Sequence, residues 1–203
     1  MRSLMLLALL PLLAVPARAQ HAAPSAAAPS VAAPSAAATD AGVEQLAFLV
    51  GEWELVVKPK VTSLAARIHG APRLLGTWRA WRAFDGRGIE DELRITDASG
   101  NPNALVHSLR LFDPATGRWH QTAVDAFRTR ITPSTGQWRD GAYHTRSAAR
   151  ESDGTLVIQR GRFHDISADA FTLTIDRSRD GERTWETAAL VIEAHRTAAR
   201  AAR

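Results

Sequence analysis

Cysteine is absent from all 203 residues. That excludes disulfides, thiolate-held metals, a cysteine nucleophile and any lipid anchor attached at a cysteine. Lysine is almost absent, with Lys58 and Lys60 the only two, so the basic balance of the chain rests on arginine. No Gly-x-Ser-x-Gly elbow occurs, which removes the common strand-to-helix serine nucleophile. The seven histidines, His21, His69, His107, His120, His144, His164 and His195, include no i, i+2 or i, i+4 pair of the kind that presents two nitrogens to one metal. Beyond residue 15 no apolar run is long enough to span a bilayer, and beyond residue 50 no helical period is long enough for a parallel crossover.

What the chain does contain begins with a leader pattern. Arg2 supplies a positive start, residues 3–15 are apolar and rich in leucine, and Ala17-Arg18-Ala19 ends in the small-x-small arrangement read by a signal peptidase. The pattern predicts a signal peptide over 1–19 and a periplasmic or secreted protein without stable membrane insertion. Ala-Ala-Pro-Ser then recurs at 22–25, 27–30 and 32–35. Such spacing of proline blocks a continuous helix, and alanine and serine offer little surface to bury, so residues 20–39 read as a flexible linker. With Arg2 and Arg18 removed, 23 basic residues face 21 acidic ones, a net charge of +2. The two signs are interspersed and form no basic stripe, which argues against nucleic acid as a partner.

Residues 40–197 are enough for one domain with a real core. Thr39 or Asp40 can cap a short helix over 41–49, ended by Gly51. From there the apolar period changes from helical to alternating. Strands are predicted near 53–58, 74–84, 89–96, 105–111, 119–127, 130–139 (a weak strand interrupted by Pro133), 143–150, 155–163, 169–177 and 185–196. Asp-Gly and Asp-Pro turns join most of them. Residues 60–73 fit either a helical turn or a loop. Short sequential hairpins imply an antiparallel meander, and closing it removes its exposed edges. The expected fold is therefore all-β, an up-and-down barrel of about eight to ten strands with a short N-terminal helix; a two-sheet sandwich is the alternative.

A short helix, then Gly51-Glu52-Trp53 opening the first strand, then a meander ending in Arg196, resembles the lipocalin-like (calycin) barrels. Within that group it is most similar to bacterial secreted lipocalin-like domains of unknown function. The resemblance implies that Trp53 sits at the closed end of the barrel with Arg196 across its ring, and that Gly51, Trp53 and Arg196 form a structural closure. A guanidinium on an indole face is a physically sound tie, worth ~0.5–2 kcal/mol.

Candidate binding residues come from polar side chains in register with apolar ones. Asp91 shares a face with Ile89, Leu93 and Ile95, His107 with Leu105, Leu109 and Leu111, and Asp125 with Trp119, Ala123 and Phe127. Inward orientation would place two carboxylates and an imidazole in the lumen, with Arg82 and Arg110 as counter-ions; outward orientation would leave solvated faces or structural ion pairs. Of the remaining tryptophans, some fill the barrel, and Trp78 is the candidate to line a cavity. The functional expectation is a small, partly apolar ligand held at a few polar points, without catalysis, metal or resident cofactor. The alternatives are a lipocalin-like enzyme, such as an isomerase or a nitrobindin-like haem protein using His195 as axial ligand, and an interaction module at the cell envelope.

Overall fold

Alternation of apolar and polar residues puts one set of side chains on each face of every strand, and ten such strands occur among the described residues. The computed structural model describes residues 36–61, 72–151 and 153–197. The expected signal peptide, the linker up to residue 35, the ambiguous stretch 62–71 and residues 198–203 lie outside the described residues. A helix α1 (Ala36–Glu44) and a short 3-10 turn (Ala47–Leu49) precede β1 (Gly51–Pro59), β2 (Leu74–Ala83), β3 (Gly88–Asp97), β4 (Pro102–Asp113) and β5 (Arg118–Asp125). The chain continues through β6 (Arg130–Arg139), β7 (Ala142–Arg150), β8 (Leu156–His164), β9 (Ala170–Ser178) and β10 (Glu186–Arg196). Each strand pairs antiparallel with its neighbours in sequence, and β10 pairs back onto β1, closing a ten-stranded barrel. The sandwich alternative is thereby ruled out.

Three local expectations are corrected. Among the described residues Ala36–Glu44 is helical, so residues 36–39 are helix rather than linker and Thr39 and Asp40 lie inside it instead of capping it. The predicted helix over 41–49 is split, because Gln45 and Leu46 turn the chain into the 3-10 segment. Pro133 does not interrupt β6. It faces Thr122 of β5, and the pairing of β6 with β7 begins only at Ser134, so Pro133 sits where its missing N–H removes no bond to β7.

The turns follow backbone chemistry. At the β6–β7 hairpin Asp140 (φ 51°) and Gly141 (φ 72°) both take left-handed angles, as the two-residue turn that matches strand twist requires. The β9–β10 connection is clamped by Asp180, whose carboxylate accepts from the Thr184 hydroxyl (2.6 Å), the Thr184 amide (2.9 Å) and the Ser178 hydroxyl (2.9 Å).

One end of the barrel is closed by aromatic packing under α1. Phe48, Trp53, Trp78, Phe163 and Phe171 make mutual edge and tilted contacts, with Trp53 and Phe171 centroids 4.8 Å apart. Trp53 is fully buried and donates its indole N–H to the Leu49 carbonyl at 2.8 Å. The Arg196 guanidinium lies 4.1 Å above the ring and donates to the carbonyls of Ala168 (2.7 Å) and Val50 (3.1 Å). Gly51 has φ 132°, and a Cβ there would stand 2.2 Å from the arginine Nη1, so the position needs glycine both for its backbone angle and for its space.

Replacing Trp53 by alanine is expected to cost ~3–5 kcal/mol in urea unfolding, since a fully packed aromatic is lost; a loss under about 1 kcal/mol would contradict its packing role. The Thr184 and Ser178 bonds hold the Asp180 pKa down, to about 2 from 3.8. A depressed carboxylate pKa contributes stability above its unfolded value and loses it as pH falls through the folded one. Asp180→Asn should therefore flatten the decline in melting temperature between about pH 4 and pH 2 relative to the parent; an unchanged acid limb would contradict the clamp.

Candidate functional site

The inward-facing side chains divide the lumen into two regions. Near the closed end they are buried: Trp53, Trp78, Ile89, Trp119, Tyr143, Phe163 and Phe171 are all under a twentieth exposed. Farther along the barrel, inward positions such as Leu93, Val106, Ala123, Ser147, Gln159 and Ile175 are only half-buried, whereas Val57, Leu74, Ile95 and Val157 are buried. Side chains that point into a barrel and yet reach solvent mark the part of the lumen that solvent enters.

Between these regions runs a polar chain. Asp91 on β3 is 1% exposed; it accepts from the Trp78 indole N–H at 2.9 Å and pairs directly with the Arg110 guanidinium of β4. Arg110 also donates through Nε to the Gln121 amide oxygen at 3.0 Å, and Gln121 donates to the Tyr143 hydroxyl at 2.8 Å. Five strands thus contribute to one network through the barrel interior. Tyr143 fits because Gly136 lacks a side chain: a Cβ there would lie 1.9 Å from the phenol oxygen. Burial lowers the Arg110 pKa to about 10, against the opposing field of Tyr143, and it remains a cation at neutral pH. Burial also pushes the Tyr143 phenol up, so it stays protonated.

The register extends this polarity across the barrel wall. Arg110 stands opposite Gln121, Gln121 opposite Ser134, Ser134 opposite Ser147, Ser147 opposite Gln159, and Gln159 opposite Arg177. Six consecutive inward positions, from β4 to β9, are polar. Among the described residues the side chains of Ser134, Ser147 and Gln159 form no hydrogen bond. The Nε atoms of Arg130, on the lumen side of β6, and of Arg177 are buried without a hydrogen-bond partner. Arg177 retains a 3.8 Å ion pair with Glu186. Half-buried polar groups without protein partners call for water or a polar ligand.

The candidate residues separate accordingly. Asp91, Arg110 and Trp78 meet inside the barrel. Arg82 leaves the lumen to pair with Glu44 of α1 at 2.6 Å. The inward reading of the His107 face is corrected: His107 is exposed, lies 3.9 Å from Glu90 and packs against Trp81 on the outer surface, because Ser108 and Arg110 occupy the inward alternation of β4. Asp125 takes an inward position but is used locally, accepting from the amides of Phe127 and Arg128 (both 3.1 Å) and from the Arg128 guanidinium (2.7 Å) to cap the β5–β6 turn. Burial raises its pKa and the Arg128 contacts more than offset this, for a net lowering. His195 is exposed on the outer face of β10, opposite Glu54. Among the described residues no group of three or more His, Asp or Glu side chains is placed to hold a metal.

Gln121, Tyr143, Ser134, Ser147, Gln159 and Arg177 were not singled out by sequence. A signal existed for two of them: Gln121 interrupts the Trp119–Ala123 register, and Gln159 lies between Val157 and Gly161. One polar residue per strand is invisible until register aligns the strands.

No protein-family model matches the chain, and no curated protein matches it significantly. Among solved structures, the chain is similar to EF1p2_mFAP2b bound to DFHBI, at 11% identity and a TM-score of 0.38, over 74% of this chain and 94% of that one. A likeness at that level is no guide to function.

Removing one partner of the buried pair leaves an uncompensated charge, so Asp91→Ala alone should cost ~3–5 kcal/mol in urea unfolding. Combining Asp91→Leu with Arg110→Met should recover much of that loss. Additive losses in the double variant would show that the two side chains are not energetically coupled.

Proposed function

We propose that the protein is a secreted or periplasmic lipocalin-like carrier that holds a small, partly apolar ligand in its lumen and does not transform it. The observation that carries this reading is the inward row of half-buried Ser134, Ser147 and Gln159, whose side chains form no hydrogen bond among the described residues, continued by Arg177, whose Nε lacks a hydrogen-bond partner. Apolar surface from Leu93, Val106, Ala123 and Ile175 flanks that row. A ligand with an apolar body and a few hydrogen-bonding groups matches both surfaces.

The lipocalin-like assignment is supported by the ten-stranded closed barrel and by Arg196 over Trp53 behind Gly51. Export is supported by the leader pattern over 1–19 and the alanine-proline-serine linker after it. No helix among the described residues is long and apolar enough to cross a membrane. His195, facing outward, offers no axial nitrogen to a haem placed in the lumen.

Native mass spectrometry of protein purified from its own source is expected to show a bound small molecule. Ser147→Leu, which extends an apolar side chain into the half-buried row, should lose that adduct while keeping its unfolding transition. Absence of an adduct from the parent protein, or its full retention in the variant, would contradict luminal binding. Release of a chemically altered molecule on incubation would contradict the non-catalytic reading.

A further inference from the structure

Outside the barrel, the strands that carry the luminal row present a second, opposite surface. A groove of about 470 Å³ runs across the outer faces of β6 to β9. Arg118, Arg139, Arg146, Arg160, Arg162 and His144 line it. Strand register sets their spacing. Arg146 stands directly opposite Arg160, and His144 directly opposite Arg162, so two cross-strand pairs of basic residues lie side by side. Like charges at directly opposed positions destabilise a sheet, and the Arg146–Arg160 pair gains from an anion beside it, while His144 adds a hydrogen-bonding ring next to Arg162.

The acids nearby do not balance this charge. Arg146 pairs with Glu182, and Arg160 pairs with Asp176 at 3.3 Å while stacking on Trp185 at 3.5 Å. Arg118, Arg139 and Arg162 form no ion pair among the described residues. His144 reports the local field. Partial burial, then Arg139 and Arg162, lower its pKa, with only Asp140 opposing them.

We propose that this groove is an anion site, separate from the lumen, that takes a small polyanion bearing phosphate groups. A single carboxylate would neutralise one of the three unpaired guanidiniums, whereas a multiply charged phosphate engages several at once. The planar guanidinium fork suits its oxygens, and every long basic side chain in the lining is arginine. The groove is concave and of small-ligand size, which suits a small anion better than the plane of a bilayer. The inference stands independently of what the lumen holds, because the basic lining side chains occupy the outward alternation of the same strands.

The test titrates the intact protein with inorganic pyrophosphate at low salt, by calorimetry and by the imidazole resonances of His144. Saturable one-to-one binding is expected, with a shift at His144 and affinity that falls as salt rises. Arg162→Gln, at a residue without an ion pair, should weaken binding by about tenfold with an unchanged unfolding transition. Arg177→Gln, in the lumen, should leave it unaltered. Lack of saturable binding, equal binding by Arg162→Gln, or loss in Arg177→Gln would overturn the assignment. Association with phosphatidylglycerol vesicles but not with pyrophosphate would also overturn it, in favour of a membrane-facing surface.

Discussion

Everything in this barrel depends on bringing the last strand back to the first, and Arg196 is where that happens. Its guanidinium covers Trp53 and reaches carbonyls on either side of the closure, Val50 before β1 and Ala168 before β9. Bonds from a charged donor are each worth ~1.5–3 kcal/mol, and the cation–π contact adds to them. Closure also fixes where the hydrophobic core must be. Once Trp53 is held against the 3-10 turn, Phe48, Phe163, Phe171 and Trp78 pack around it and seal that end with aromatic rings. Beyond that seal the inward row from Gln121 on β5 to Arg177 on β9 is polar and half-buried.

The buried pair of Asp91 and Arg110 sits at the border between these regions. Taking two charges out of water is unfavourable, and an ion pair there is weak evidence for stability. Its hydrogen bonds argue for a positional role. Asp91 orients Trp78, and Arg110 orients Gln121, which in turn bonds Tyr143. The pair therefore links the aromatic floor to the start of the luminal row, and fixes the conformation of Gln121, a side chain a ligand in the lumen would meet.

The fold was largely legible in the sequence because a period of two survives in nearly every strand and Asp-Gly turns separate them. Asp91 was legible as an inward residue because Ile89 and Ile95 share its alternation. His107 was misread for an instructive reason: Leu105, Leu109 and Leu111 make its face look more apolar than the one carrying Ser108 and Arg110. The barrel places Ser108 and Arg110 inside and several leucines outside, with Leu111 41% exposed, so hydrophobicity alone points the wrong way on β4. Asp125 was placed on the correct face, but the turn that consumes its carboxylate depends on the backbone path of residues 126–129. The row from Gln121 to Arg177 could not be read because it exists only across strands, as a property of register.

Register also explains how one set of strands carries two unlike surfaces. His120 and Gln121, Thr135 and Ser134, Arg146 and Ser147, Arg160 and Gln159 are sequence neighbours on opposite sides of the wall. Sliding β7 by one residue against β6 would turn Arg146 into the lumen and Ser147 out, placing a paired guanidinium among groups that already lack partners. Such a slip is opposed from both faces at once. Tyr143 would lose the space left by Gly136, and Arg146 would lose Glu182. The Asp140-Gly141 turn, with both residues in left-handed geometry, pins the same pairing from its end. The inner polar row and the outer basic groove therefore rest on one constraint, the alignment of β6 with β7.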